Sequence, residues 1–218
     1  MIKACIFDLD GTLTNTVRTL AHFVNAETAK HGFPPAPVEC FKYFTGDGAR
    51  MLIHRVLAYH GVDDANLETA ILEKYNAAYD ADFLYLCTLY DGIDGMIKAL
   101  HNRGVKLAVL SNKPQSTTEK IVASFFGSGI FSIVLGQREG VPLKPDPAGV
   151  FEILASFHYA PGECLYIGDT AVDIATGKSA GLVTVGVLWG FRDRTELEDA
   201  GATHIIEKPE ELLALLTV

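Results

Sequence analysis

Two acids separated by one residue, Asp8 and Asp10, close the apolar run Ala4-Cys5-Ile6-Phe7 and stand just before Gly11. A run of this length suffices for one buried strand and is too short for a helix. In an extended chain residues i and i+2 point the same way, so both carboxylates crowd one side of the strand's end. Gly11 gives the backbone freedom to turn sharply there. Like charges held together raise each other's pKa unless something offsets them. A divalent cation is the simplest offset, and oxygen-only ligands without His or Cys favour Mg2+ over zinc. A solvated Asp-x-Asp-Gly turn has the same spelling, so the rest of the chain must decide between the two readings.

Three further polar clusters fall at or just beyond the ends of predicted strands. Ser111-Asn112-Lys113-Pro114 follows an apolar run ending at Leu110. Lys144-Pro145-Asp146-Pro147 lies in the loop after the run Ile133 to Leu135. Gly168-Asp169-Thr170-Ala171-Val172-Asp173 follows the run ending at Ile167. Each has an ordinary structural reading, as a helix cap, a surface lysine or an acid in the first turn of a helix. Their joint placement at successive strand ends brings acids, a hydroxyl and a fixed positive charge to one edge of a sheet. That is the inventory of phosphoryl transfer, which depends on positioning and charge neutralisation.

The elements that must hold these residues alternate. From Asp91 onward, predicted helices at 95–103, 116–126, 147–157 and 170–180 precede apolar strands at 106–110, 133–135, 164–167 and 183–187. A last strand at 204–206 is followed by a C-terminal helix from Pro209. Continuous apolar strands alternating with helices mark a parallel sheet covered on both faces. The opening strand joins this doubly wound α/β sheet, and ligands in such sheets sit outside the carboxyl ends of the strands.

The stretch from Thr14 to Leu86 reads differently. Helical spacing of Val17, Leu20, Ala21 and Val24 predicts a helix to about Lys30, which Gly32 and the prolines 34, 35 and 37 terminate. A second helix is expected over 49–60, with Met51, Leu52, Val56 and Leu57 on one face, and a third over 67–79. No convincing strand is visible in this stretch. The expected organisation is therefore a Rossmann-like α/β core, residues 1–13 and 87–218, with an all-helical cap, residues 14–86, inserted after the first strand.

With 218 residues, 49% of them hydrophobic, the chain is expected to be globular and is long enough for one large core, or for a core plus a small satellite domain. Its net charge of −9 argues against a nucleic-acid surface, which needs clustered Lys and Arg, and offers nothing to an anionic membrane. An anionic substrate would need local positive charge. Cys5, Cys40, Cys87 and Cys164 form no CxxC pair and read as reduced packing residues of a cytoplasmic protein. The start of the chain shows no secretory pattern, and no apolar stretch approaches the roughly 20 residues that span a bilayer.

The four clusters, in this order, resemble the four motifs of the haloacid dehalogenase-like hydrolase superfamily. Asp8-Leu9-Asp10-Gly11-Thr12 is similar to the first, Ser111 to the second, Lys144 to the third, and Gly168-Asp169 with Asp173 to the fourth. Within the superfamily the chain most resembles the phosphoglycolate phosphatases, through Ser111-Asn112-Lys113-Pro114, Thr45-Gly46-Asp47-Gly48-Ala49, and Lys144-Pro145 with Pro147. It departs at Thr14-Asn15-Thr16, where many relatives carry an acid followed by Ser, so the entry to the cap differs.

The resemblance implies a Mg2+-dependent phosphatase acting on a small phosphorylated metabolite, with 2-phosphoglycolate the best single candidate. Asp8 would be the nucleophile that forms an aspartyl-phosphate, and Asp10 the acid and then the base. Asp8 and Asp169 would bind Mg2+, joined by Asp10 through its backbone carbonyl. Ser111 would hydrogen-bond a phosphoryl oxygen, with help from the backbone of Asn112, Gly11 and Thr12. Lys144 would neutralise charge on Asp8, and Asp173 would hold Lys144 or a metal water. In the cap, Gly46 and Arg50 are the expected substrate readers, with Arg55 a further candidate for a carboxylate; in the core, Arg192, after the 183–187 strand, is another. The cap is expected to open and close about junctions near Thr14 and Leu86. The acid at Asp10 sets dehalogenation aside. A beta-phosphoglucomutase-like phosphomutase, an inorganic pyrophosphatase and a non-catalytic phosphate sensor are the alternatives, and monomer and homodimer both stay open.

Overall fold

Residues Ala4–Phe7 form the fully buried strand β1 of the computed structural model, which describes residues 1–217. Val218, the last residue of the expected core, lies outside the described residues. The chain divides into two compact units, one of Met1–Asn15 with Leu89–Val218, the other of Thr16–Thr88.

The first unit is built on a parallel sheet of order β5-β4-β1-β6-β7-β8. Its elements after β1 are the short strands β2 (Thr14–Asn15) and β3 (Thr88–Leu89), which pair where the chain leaves and rejoins the unit. Further on come β4 (Lys106–Pro114), β5 (Ile133–Gln137), β6 (Cys164–Gly168), β7 (Val183–Val187) and β8 (His204–Ile206). The second unit is helical: α1 (Val17–Ala29), α2 (Phe41–Phe44), α3 (Gly48–Tyr59) and α4 (Ala65–Ala81). The remaining helices, α5 (Ile93–Asn102), α6 (Gln115–Phe126), α7 (Ala148–Phe157), α8 (Ala171–Ser179) and α9 (Arg194–Asp199), flank the sheet.

Register explains why the polar clusters meet. Phe7 pairs with Val109 of β4 on one side and with Ile167 of β6 on the other. Phe7, Val109 and Ile167 therefore lie at one level, and Asp8, Ser111 and Asp169 follow them within a residue or two. Strand order reverses at β1: the chain runs outward through β4 and β5, then crosses back to β6. That reversal is where open α/β sheets bind ligands. One face of the sheet carries Ala4, Ile6, Ala108, Leu110, Cys164 and Tyr166, sealed by Val150, Ile153 and Leu154 of α7. Alternate strand residues share a face, so this layer follows from the period of two.

The structure corrects several expectations. β4 does not stop at Leu110 but runs to Pro114 with a shift of register between these residues. Its polar end looks like a loop in sequence because the apolar run stops, yet Ser111, Asn112 and Lys113 are all buried. A two-residue strand, Thr14–Asn15, stands where none was expected. Pro209–Thr217 is a 3-10 helix, and α2 and α9 are too short for periodicity to reveal. In α3 Met51 is 39% exposed, and Ile53 joins Leu52, Val56 and Leu57 in the interior instead.

The helical unit has its own core of Phe41, Leu52, Ile53, Val56, Leu57, Ile71, Tyr75 and Tyr79. Asn25 of α1 holds the proline-rich segment after it, donating to and accepting from the backbone of Ala36 at 2.9 Å each. Among the described residues, no helix is long and apolar enough to cross a membrane.

Candidate active site

Asp8 follows β1 directly, and its backbone N–H donates to the Ile167 carbonyl at 2.9 Å, which continues the ladder one residue past the strand. The chain then folds back on itself: Leu13 and Thr14 N–H groups both return to the Leu9 carbonyl, at 3.0 and 2.9 Å. Gly11 sits in this turn with φ +91°, and a Cβ there would stand 2.2 Å from Asp169 Oδ2. Only glycine lets the turn and the acid share this space.

Asp169 enters from the end of β6 with both oxygens held. Thr12 Oγ1 donates to Oδ1 at 2.9 Å and the Phe191 N–H donates to Oδ2 at 2.8 Å. Asp173 lies in the first turn of α8, where Thr170 is the cap. The Thr170 N–H and hydroxyl donate to Asp173 Oδ2 at 3.1 and 2.7 Å. Its other oxygen faces Lys144, whose Nζ lies 2.8 Å from Asp173 Oδ1 and 2.7 Å from Asp8 Oδ1. A capping box thus does two jobs, starting the helix and aiming an acid at the lysine.

Lys144 is held from behind. Asn112 accepts from the Lys144 N–H at 2.9 Å and donates to the Lys144 carbonyl at 3.1 Å, so its side chain locks the backbone from which the lysine projects. Ser111 is buried at the same edge, and its Oγ accepts from the Lys113 N–H at 3.2 Å. Lys113 Nζ in turn lies 2.7 Å from Asp10 Oδ2.

One carboxylate oxygen each from Asp8, Asp169 and Asp173 lie within 4.8 Å of one another, all buried. Burial pushes the Asp8 pKa up to about 7, with Asp173 and Asp10 adding to it and Lys144 opposing. Burial also raises Asp169 well above the usual carboxylate range, reinforced by Asp173 and Asp8. For Lys144 burial alone would lower the pKa, but Asp173 and Asp8 outweigh it and hold the ammonium well above its ordinary value. Four acids, Asp8, Asp10, Asp169 and Asp173, face two ammonium groups, Lys113 and Lys144. The excess of two negative charges and the all-oxygen donor set fit a divalent cation such as Mg2+. Asp169, whose oxygens accept from the uncharged Thr12 hydroxyl and Phe191 amide, and the neighbouring Asp8 would hold it, whereas Asp173 faces Lys144 and Thr170 and Asp10 turns its side chain to Lys113.

The structure therefore brings together Asp8, Asp10, Gly11, Thr12, Ser111, Asn112, Lys144, Asp169 and Asp173. Gly46 and Arg50 belong to the helical unit. There Gly46 and Gly48 have φ +127° and +86°, and Arg55 ties the loop down by donating to Asp47 Oδ2 at 2.5 Å and to the Phe44 carbonyl at 3.1 Å. Arg50 is 60% exposed and paired with Glu68 at 2.7 Å. Arg192 is committed to Glu196 at 3.0 Å. Sequence reasoning missed Lys113 as a site residue, and in the loop after β7 it picked out Arg192 but not Trp189, Gly190 or Phe191. In that loop Trp189 Nε1 donates to the Thr12 carbonyl at 2.9 Å and Gly190 packs so closely that a Cβ would lie 2.3 Å from that of Asp169. The only signal was a glycine after a tryptophan, since the amide of Phe191 leaves no trace in residue type.

Gly11→Ala is expected to displace Asp169 and to force an alanine into left-handed backbone. A shift of about 1 Å at such a site costs about a hundredfold in rate, and the backbone strain costs roughly 1–2 kcal/mol. Turnover and a thermal melt of the purified variant check both.

The chain matches the family model for haloacid dehalogenase-like hydrolases over residues 5–187. It is 30% identical to a phosphoglycolate phosphatase of Haemophilus influenzae over 215 residues, 96% of each chain. It is 32% identical to a phosphoglycolate phosphatase of Pseudomonas fluorescens, covering 97% of this chain and 78% of that one. A crystal structure from Lactobacillus delbrueckii subsp. bulgaricus, itself provisionally assigned as a phosphoglycolate phosphatase, superposes with a TM-score of 0.93 at 30% identity and 98% coverage of both chains.

Proposed function

We propose that this chain, which belongs to the haloacid dehalogenase-like hydrolase family, is a Mg2+-dependent phosphatase of small organic phosphate monoesters, with 2-phosphoglycolate as its substrate. The observation that carries the reading is Lys144 bridging Asp8 and Asp173 beside Asp169, with a second acid, Asp10, next to the first. A phosphate sensor would need the positive charge and not the pair of acids.

In this reading Asp8 attacks phosphorus, and its new O–P bond replaces the bond to the leaving oxygen, which takes a proton from Asp10. Asp10 then takes a proton from the water that attacks the aspartyl-phosphate, and Asp8 is released. Lys144 holds Asp8 in place and offsets the charge that gathers on the transferring group. Ser111 and the backbone of Gly11 and Thr12 bind the phosphoryl oxygens. Mg2+, held by Asp8, Asp169 and the Asp10 carbonyl, would supply charge neutralisation between two anions that otherwise repel. Choice of substrate falls to the helical unit, where Gly46 and Arg50 are the proposed readers.

The test is kcat/KM on 2-phosphoglycolate, inorganic pyrophosphate, beta-glucose 1-phosphate and several sugar phosphates, with Mg2+ and with chelator. A preference for 2-phosphoglycolate of about a hundredfold, roughly 2.7 kcal/mol of differential transition-state binding, is the expected result. Turnover should vanish in chelator. A flat profile would remove the substrate from the proposal, and label retained on the sugar rather than released to water would replace hydrolysis by phosphomutase chemistry.

A further inference from the structure

Each acid of the Asp8-x-Asp10 pair has its own lysine. Lys144 serves Asp8 and Asp173, whereas Lys113 Nζ lies 2.7 Å from Asp10 Oδ2, the two side chains being only 6% and 12% exposed. A lysine that is buried gives up water and most of its rotamer freedom, so its placement needs a return.

The backbone of Lys113 is fixed on several sides. Its N–H donates to Ser111 Oγ at 3.2 Å, and its carbonyl accepts from Thr118 Oγ1 at 3.2 Å. On the neighbouring strand Gly136 lies so close that a Cβ there would stand 2.6 Å from the same carbonyl oxygen. The shift of register in β4 falls in this stretch. Asn112 turns its side chain to the Lys144 backbone, whereas the Lys113 side chain reaches Asp10. The end of β4 thereby serves both acids: Asn112 fixes the lysine of Asp8, and Lys113 itself reaches Asp10.

We infer that Lys113 is a positioning residue that clamps the Asp10 carboxyl group for its two proton transfers. This rests on the phosphatase reading above. In the first half-reaction Asp10 gives its proton to the leaving oxygen as the P–O bond breaks and the Asp8 O–P bond forms. In the second it takes a proton from water as the water O–P bond forms and the Asp8 O–P bond breaks. One carboxyl group must face both oxygens in turn, and a side chain free to rotate would lose that geometry. The clamp on Oδ2 sets the plane of the group.

The inference separates from a purely structural role through the leaving group. An alkoxide needs the proton from Asp10, and 4-nitrophenolate does not. First-turnover rates are measured with Mg2+ on an alkyl phosphate and on 4-nitrophenyl phosphate, for wild type, Lys113→Met, Lys113→Arg and Asp10→Asn. Lys113→Met is expected to lose roughly tenfold to a hundredfold on the alkyl phosphate, and at least about threefold less than that on 4-nitrophenyl phosphate, with KM nearly constant. Lys113→Arg should recover most of the loss. In the Asp10→Asn background the same Met substitution should cost less than about threefold, because it acts through a group already removed. Equal losses on both substrates, or an undiminished loss in the Asp10→Asn background, would overturn the inference and leave the phosphatase reading intact. Should Lys113→Met fail to fold, Lys113→Gln is read by the same criteria. Wild-type protein inactive on both substrates would overturn the phosphatase reading and this inference with it.

Discussion

Asp8→Asn should abolish turnover, with kcat falling by at least about a thousandfold, as removal of a covalent nucleophile does elsewhere. The substitution keeps shape and removes nucleophilicity. It should not unfold the protein. Burial pushes the Asp8 pKa up to about 7, so the negative charge is held there against its preference, and a neutral amide relieves it. Lys144 keeps Asp173 at 2.8 Å as a partner. The melting temperature without Mg2+ is therefore expected to stay level or rise while activity disappears. Acid-quenched wild type should retain labelled phosphate from substrate on the protein, released by hydroxylamine, and the variant should carry none. A variant that keeps more than a few per cent of activity would sink the covalent route.

The origin of that charge crowding was readable from residue types alone. An apolar run ending in Asp-x-Asp-Gly says that two carboxylates share a strand end, and the alternation of helices and strands says that other strand ends lie beside it. What residue types do not carry is register. Only the pairing of Phe7 with Val109 and Ile167 puts Asp8 level with the residues that follow Val109 and Ile167. Lys113 escaped for a related reason: a polar run after Leu110 has the composition of a loop, and its continuation as strand depends on burial of paired polar groups. Asn112, expected to help through its backbone, has a second task that residue type does not announce: both side-chain polar atoms are spent on the Lys144 backbone. The Trp189 to Phe191 loop acts through an indole N–H, a missing Cβ and a backbone amide. None of these is a property that spacing along the chain expresses.

Lys144→Met should cost stability and activity together, and the two losses can be separated. The lysine side chain is 4% exposed and bridges Asp8 and Asp173. Without it three buried carboxylates, with ligand atoms within 4.8 Å of one another, lose their ammonium. Removing one partner of a buried ion pair costs about 3–5 kcal/mol, which in a chain of this size lowers the melting temperature by on the order of 10 °C. Turnover should fall at least about a hundredfold, because charge on the transferring group is no longer offset. Adding Asp173→Asn to Lys144→Met removes one of the stranded charges and leaves an amide oxygen to accept from Thr170 at the start of α8. The double variant should regain most of the lost stability, measured as melting temperature in chelator, yet none of the lost turnover. Recovery of both would mean that Lys144 only balances the charge of Asp173. Recovery of stability alone ties the lysine to Asp8 and to the phosphoryl group that Asp8 receives.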